Sequence, residues 1–161
     1  MNLRIGHGYD VHKFAAGRRM VLGGVKIDCP YGLEAHSDGD VLLHALSDAL
    51  LGAGGMGDIG RHFPDSDERY KDADSAALLR ECISIARIET VINADITVIA
   101  QQPRLAGYTE RIRNSVASLL GCAPDRVNIK ATTEEGLGFT GRKEGMAVHA
   151  VVLVILKENG K

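Results

Sequence analysis

Apolar and polar positions follow a strand-like pattern over Leu3 to Val11, broken by Gly6 and Gly8, and again over Met20 to Ile27, where Gly23-Gly24 supplies a bend. Two strands are expected there, the second folded into a hairpin. From Asp40 the period changes to that of a helix. Val41, Leu42, Leu43, Ala45, Leu46, Ala49, Leu50 and Leu51 form the apolar side, while Asp40, His44 and Asp48 fall on one polar line that would face water or a site. Gly52 to Gly60 reads as a loop too glycine-rich to continue the helix, and Asp65 to Asp74 as a charged connection without a core of its own. A second helix is expected over Ser75 to Ile88 with Asp74 as its N-cap, and a strand over Val91 to Gln101. A third helix over Tyr108 to Leu120 is closed by Gly121, and strands follow over Val127 to Thr132 and Met146 to Leu156. This order predicts an α/β (α+β) chain, one domain over residues 1–161, with a single layer of sheet covered by helices. The last strand is apolar on both faces, so one of them is expected to be buried by another subunit.

Composition narrows the choice of partners. The chain has 161 residues, a formal charge of -2 and only 4% aromatic residues, so it lacks both the basic footprint and the stacking platforms of a nucleic-acid binder. Its longest apolar run, Ala147 to Leu156, is interrupted by His149 and is far shorter than the ~20 residues that span a bilayer. The N-terminal residues show no apolar signal-peptide core, and Cys29, Cys82 and Cys122 form neither a CxxC pair nor a disulfide framework. A cytoplasmic protein is expected. Glycine is the outlier, with 19 residues, and the excess is concentrated around His7, between Gly52 and Gly60, and between Gly136 and Gly145.

Three constellations could carry chemistry. Asp10 and His12 leave the same face of a strand, and His44 on the helix could complete a three-ligand set for zinc, with a fourth position left for water or substrate. Each histidine taken alone reads more readily as a surface or hydrogen-bonded core residue, and only Asp10-x-His12 together with His44 brings the metal reading level with it. His36-Ser37-Asp38-Gly39-Asp40 could orient those ligands, or Ser37 or Asp38 could simply cap the helix. Gly57-Asp58-Ile59-Gly60 followed by Phe63-Pro64-Asp65 offers backbone N–H groups and carboxylates to a polyol, although a plain turn has the same composition. Lys130-Ala131-Thr132-Thr133, running into Glu134 through Arg142, offers hydroxyls, open glycine backbone and a guanidinium to phosphate, and a carboxylate to Mg²⁺. It is not a Walker A loop.

Taken together, Gly6-His7-Gly8-Tyr9-Asp10-Val11-His12, His36-Ser37-Asp38-Gly39-Asp40 through His44, Gly57-Asp58-Ile59-Gly60 and Lys130-Ala131-Thr132-Thr133 through Arg142 resemble the 2-C-methyl-D-erythritol 2,4-cyclodiphosphate synthase family, in order and spacing, from about Arg4 to Leu156. The resemblance implies a homotrimer with sheets packed inward and active sites between subunits. The implied reaction closes 4-diphosphocytidyl-2-C-methyl-D-erythritol 2-phosphate into the cyclic diphosphate with loss of CMP, in non-mevalonate isoprenoid synthesis. The substrate's own 2-phosphate is the nucleophile, which agrees with the lack of a Ser/His/Asp or Cys/His triad.

By the same resemblance Asp10, His12 and His44 hold Zn²⁺ at the subunit interface, and Glu135 holds Mg²⁺ or Mn²⁺ between the α- and β-phosphates. Thr133 stands at the reacting phosphates with Ala131 and Thr132, and Asp58, Gly60 and Asp65 meet the methylerythritol. His36 and Ser37 belong to a loop that closes over the substrate. Ala100, Pro103, Arg104, Leu105 and Ala106 form the cytidine pocket of the neighbouring subunit. Phe139 and Arg142, with Glu144, lie near the threefold axis, where a central cavity takes isoprenoid diphosphates. Two departures stand out: Arg104 replaces a frequent lysine, and Glu134 replaces a frequent threonine, which leaves two adjacent acids as candidates for the second metal. Two other readings use the same residues. One is a zinc-dependent phosphohydrolase with water as nucleophile, the other a trimeric module that binds isoprenoid diphosphates.

Overall fold

The computed structural model describes residues 2–64 and 66–158, so Asp65 lies outside the described residues. Strand β1 (Leu3–Ala16) is antiparallel to β7 (Gly145–Leu156) from Leu3↔Ile155 to Lys13↔Gly145. Strand β5 (Ile88–Ile99) lies against the other edge of β7, and β6 (Val127–Thr132) runs parallel to β5. With the short β4 (Tyr31–Leu33) on β1, the sheet order is β4-β1-β7-β5-β6. A separate hairpin joins β2 (Met20–Leu22) to β3 (Val25–Ile27) through Gly23 and Gly24, both at positive φ as a two-residue turn of this kind requires.

Helices α1 (Val41–Gly54), α3 (Ser75–Ile85) and α4 (Thr109–Leu120) belong to the core side, where α1 packs on β1 and β7 and α4 packs on β6. Alternation along the strands decides which side chains meet them. Met146, Val148, Ala150, Val152 and Val154 point into the core, and their β1 partners on that face are His12, Asp10, Gly8, Gly6 and Arg4. The other face of the sheet carries Ile5 at 70% exposure with Tyr9, Val11 and Val151 beside it. Both faces of β7 are thus apolar, as expected, and one stands open in the single chain.

Several boundaries differ from expectation. β1 continues to Ala16 because β4 pairs with Phe14 to Ala16, a long-range contact with no local signature. Helix α1 persists to Gly54 and stops at Gly55 in the left-handed region, and the expected loop contains a short helix, α2 (Ile59–His62). Helix α3 ends at Ile85, since Ile88 already pairs with Leu156. The connection after Pro64 is not free of core, because Tyr70 packs edge-on against Phe63 at 5.2 Å in a small cluster with Leu51, Leu78 and Cys82. A last short helix, α5 (Gly138–Gly141), precedes β7.

Asp40 does not belong to a polar face at all. It is fully buried as the N-cap of α1, and its carboxylate accepts from Leu43 N at 3.1 Å, Gly23 N at 2.9 Å and Gly24 N at 2.7 Å. One side chain thereby ties the hairpin to the helix start, which neither Ser37 nor Asp38 does. Burial pushes its pKa up to about 6 in spite of those three bonds.

The closest packing lies where α1 crosses β1. A Cβ on Gly8 would sit 1.9 Å from the Ala45 carbonyl oxygen, and one on Gly6 1.8 Å from that of Ala49. Gly8→Ala should therefore cost about 3 kcal/mol in urea unfolding. Gly107→Ala, where a Cβ meets nothing within 4 Å, should leave the transition unchanged.

Candidate active site

Because side chains alternate along β1, the residues that follow Gly6 and Gly8 on the core face are Asp10 and His12. The helix lying on those glycines brings His44, the neighbour of Ala45, to the same place. Asp10 Oδ2 stands 2.9 Å from His12 Nε2 and 3.3 Å from His44 Nδ1, and the two ring nitrogens are 3.3 Å apart. These three donor atoms, all within 4.8 Å of one another, can hold a metal ion. Asp10 Oδ1 accepts from Val11 N at 2.9 Å, which turns Oδ2 toward the cluster, where it is buried without a hydrogen-bond donor of its own among the described residues. A carboxylate and two imidazoles around one point are the donor set of a catalytic metal with an open position.

A cavity of about 360 Å³ opens beside the triad and is lined also by His36, Ser37 and Gly60. The loop 34–38 is held by Arg18, which donates to the carbonyl oxygens of Ala35 at 3.0 Å and Ser37 at 2.6 Å. The far wall is fixed by Asp48, which accepts from Ile59 N at 2.7 Å and so ties α2 to α1. Phe63, from the expected glycine-acid loop, also lines the cavity, as do Glu34 and Tyr70, which were not foreseen because they come from segments without a motif. Asp58 does not line the cavity. Its carboxylate caps α2 by accepting from Arg61 N at 2.9 Å, and it is exposed.

A second cavity, of about 540 Å³, gathers Ala100, Pro103, Arg104, Leu105, Ala106, Ala131, Thr132 and Thr133 between β5, β6 and the start of α4. It shares no lining residue with the first. Asp10 is opposite Val148, Val148 opposite Val98, and Val98 opposite Ala131, so the two sites are three strand spacings apart, about 14 Å.

Glu134 and Glu135 are separated by their surroundings. Both are exposed, but the buried Thr140 hydroxyl donates to Glu134, whereas Glu135, at φ 53, accepts from Thr133 Oγ1 at 3.4 Å. The same turn is linked to the second cavity by Gly136 N, which donates to Gln101 Oε1 at 3.3 Å. Phe139 lies elsewhere, in an apolar hollow with Val11 and Glu144, and Arg142 Nε donates to Glu144 Oε1 at 2.8 Å.

Residues 3–155 match the model of the YgbB family. The chain belongs to the YgbB family. It is 59% identical over 157 residues to the 2-C-methyl-D-erythritol 2,4-cyclodiphosphate synthase of Pseudomonas aeruginosa (strain UCBPP-PA14), covering 96% of this chain and 100% of that protein. Among solved structures, the bifunctional IspDF of Campylobacter jejuni superposes with a TM-score of 0.92 at 45% identity, over 98% of this chain and 43% of that one. The Plasmodium falciparum IspF, solved as a CDP complex, superposes with a TM-score of 0.82 at 34% identity, covering 98% of each chain. The YgbB fold is therefore the observed fold, and the sheet and helices above are its parts.

Electrostatics make the triad of this YgbB chain sensitive to pH. Burial would push the Asp10 carboxyl up, but the adjoining His12 and His44 rings prevail and bring it from 3.8 down to about 2. Burial likewise opposes charge on His44, yet Asp10, Asp40 and Asp38 together raise its pKa above 6.5. The depressed Asp10 value contributes stability that is present above 3.8 and lost as pH falls toward about 2. The raised His44 value contributes stability that is full below 6.5 and lost as pH climbs through the folded value. In chelator-treated protein, the melting temperature of the wild type should exceed that of Asp10→Asn most between pH 3.8 and 6.5, and the gap should narrow on either side.

Proposed function

We propose that the chain closes 4-diphosphocytidyl-2-C-methyl-D-erythritol 2-phosphate to 2-C-methyl-D-erythritol 2,4-cyclodiphosphate with release of CMP, as one catalytic domain over residues 1–161 in the cytoplasm. The observation that carries this reading is the convergence of Asp10, His12 and His44 on one wall of a cavity, with a hydroxyl-lined second cavity elsewhere on the same chain. Its relatives' names and the CDP held by a solved neighbour agree with it.

The chemical difficulty is an anion attacking an anion, which calls for fixed, in-line phosphates and neutralised charge. Zn²⁺ at Asp10, His12 and His44 and Mg²⁺ or Mn²⁺ at Glu135 would supply the positive charge that polarises the β-phosphate and steadies the departing CMP. The protein's own groups do the positioning. Thr132 and Thr133 offer hydroxyls to phosphate oxygens, and Ala100, Pro103, Leu105 and Ala106 give the base an apolar slot beside the Arg104 guanidinium. Ser37 and His36 cover the triad, and the backbone around Gly60 admits the methylerythritol. Glu135 is the better candidate for the second metal because it stands beside the Thr133 hydroxyl, whereas Glu134 is turned to the buried Thr140. No side chain needs to serve as nucleophile.

Two cavities without a common residue favour a site completed by a neighbouring copy, and the exposed apolar face around Ile5, Tyr9 and Val11 offers the contact. A homotrimer with interfacial sites fits both. In it Phe139 and Arg142 would stand beside the packed sheets, where an isoprenoid diphosphate would meet an apolar wall and a guanidinium now shared with Glu144.

Incubation of the substrate with protein and Mg²⁺ should give cyclic diphosphate and CMP by ³¹P NMR; linear phosphates alone would mean a phosphohydrolase. His44→Ala should reduce CMP release to background, and sedimentation should report three chains of 17.2 kDa. Gly60→Val tests the sugar site: a Cβ there meets only Asp58 Oδ1 at 3.5 Å, so folding should survive while KM rises about tenfold or more. An equal loss of stability and binding would make Gly60 a structural residue only.

A further inference from the structure

Behind His44, away from the other two ligands, lies a chain of hydrogen bonds with a defined direction. The Asp38 carboxylate can only accept, and it takes Asp40 N at 3.2 Å, Ser75 N at 3.1 Å and the Ser75 hydroxyl. Ser75 has a single O–H, and that proton is committed to Asp38. Its oxygen, 2.9 Å from His44 Nε2, is then left to accept from the ring. The proton of a neutral His44 therefore sits on Nε2, and the lone pair sits on Nδ1, the atom that faces Asp10 Oδ2 and His12 Nε2 at 3.3 Å. Ser75 is 1% exposed, so water has no room to reverse this order. Ser37 Oγ accepts Gly39 N–H at 3.2 Å and stands 3.1 Å from the same Nε2, farther than the Ser75 oxygen that must accept from it.

We propose that Ser75 and Asp38 are positioning residues, a carboxylate–hydroxyl–imidazole relay that sets the His44 tautomer and so presents a bare Nδ1 to the metal. The inference rests on the metal reading of the preceding subsection, but the tautomer itself exists without any metal. The relay needs two segments far apart in the chain. Asp38 ends the loop that enters α1, and Ser75 opens α3, so the seating of α3 on α1 is what brings the proton acceptor to the ring. Outer partners of this kind fix ring orientation and raise ligand basicity, and their loss costs 10- to 100-fold in metal affinity in general.

Two measurements on the intact protein decide the matter. In chelator-treated, ¹⁵N-histidine-labelled protein, at a pH that leaves the imidazole neutral, long-range ¹H–¹⁵N correlations should show His44 as the Nε2–H tautomer, and Ser75→Ala should convert it to a mixture. Zinc titration against a chromophoric chelator should show Ser75→Ala weakened by about 10- to 100-fold. Asp74→Ala supplies the control, because it removes the 3.0 Å bond to Ala76 N that caps α3 and leaves the relay intact. It should lower the melting temperature yet keep zinc affinity within about twofold, in contrast to the 10- to 100-fold loss expected for the relay. An Nδ1–H tautomer in the wild type would overturn the proposal, as would equal weakening of zinc by Ser75→Ala and Asp74→Ala. A wild type that binds no zinc would sink the metal reading instead, and the tautomer would still decide this one.

Discussion

Helix α1 rests on the bare backbone of β1, and the rest of the molecule is arranged around that contact. Two glycines make it possible, since any side chain at Gly6 or Gly8 would run into the carbonyls of Ala49 and Ala45. The helix contributes alanines at the crossing and the strand glycines, so the two backbones come closer than ordinary side-chain layers allow. A short helix-to-strand distance is also what a three-point metal site needs, because His44 reaches the site from the helix and Asp10 and His12 from the strand. Packing and chemistry are therefore consecutive positions of one row of β1.

Negative charge is concentrated near this row. Asp10, Asp38, Asp40 and Asp48 all lie in or behind the site, and the first three raise the proton affinity of His44. Each acid has a separate task. Asp40 joins the β2–β3 hairpin to α1, Asp48 fastens α2, Asp38 receives Ser75, and Asp10 faces the cavity. So many carboxylates gathered around one point favour a cation over an anion there. Arg18 holds the loop above the triad, and its guanidinium donates there to backbone carbonyls.

Much of this was legible in the residues themselves. Asp10 and His12 share a face because strands alternate, and the helical period placed His44 on α1 before any contact was known. The residues expected for the cytidine pocket, Ala100 and Pro103 to Ala106, and those expected at the phosphates, Ala131 to Thr133, line one cavity, because β5 and β6 are parallel neighbours. What stayed hidden depends on distance along the chain. Asp40 looked like part of a polar line, but the hairpin that buries it lies some twenty residues earlier. Ser75 read as an ordinary helix start, since its partners Asp38 and His44 are 37 and 31 residues away. Gly6 and Gly8 read as breaks in a strand, whereas the strand runs through them and their open side is filled by a helix. Asp58 is the exception, since the α2 cap it forms reaches only three residues along the chain.

The unbroken pairing of β1 with β7 has one further consequence. A slip of one residue in that ladder would bring His7 and Tyr9 under α1 in place of the glycines, and would turn Asp10 and His12 out to the opposite face. The helix could not then seat. A chain folded in the wrong register would thus be unable to pack and unable to bind metal for the same reason, so the strand cannot drift toward an inactive but stable arrangement. Selection for a folded molecule and selection for a working site act here on a single alignment of two strands.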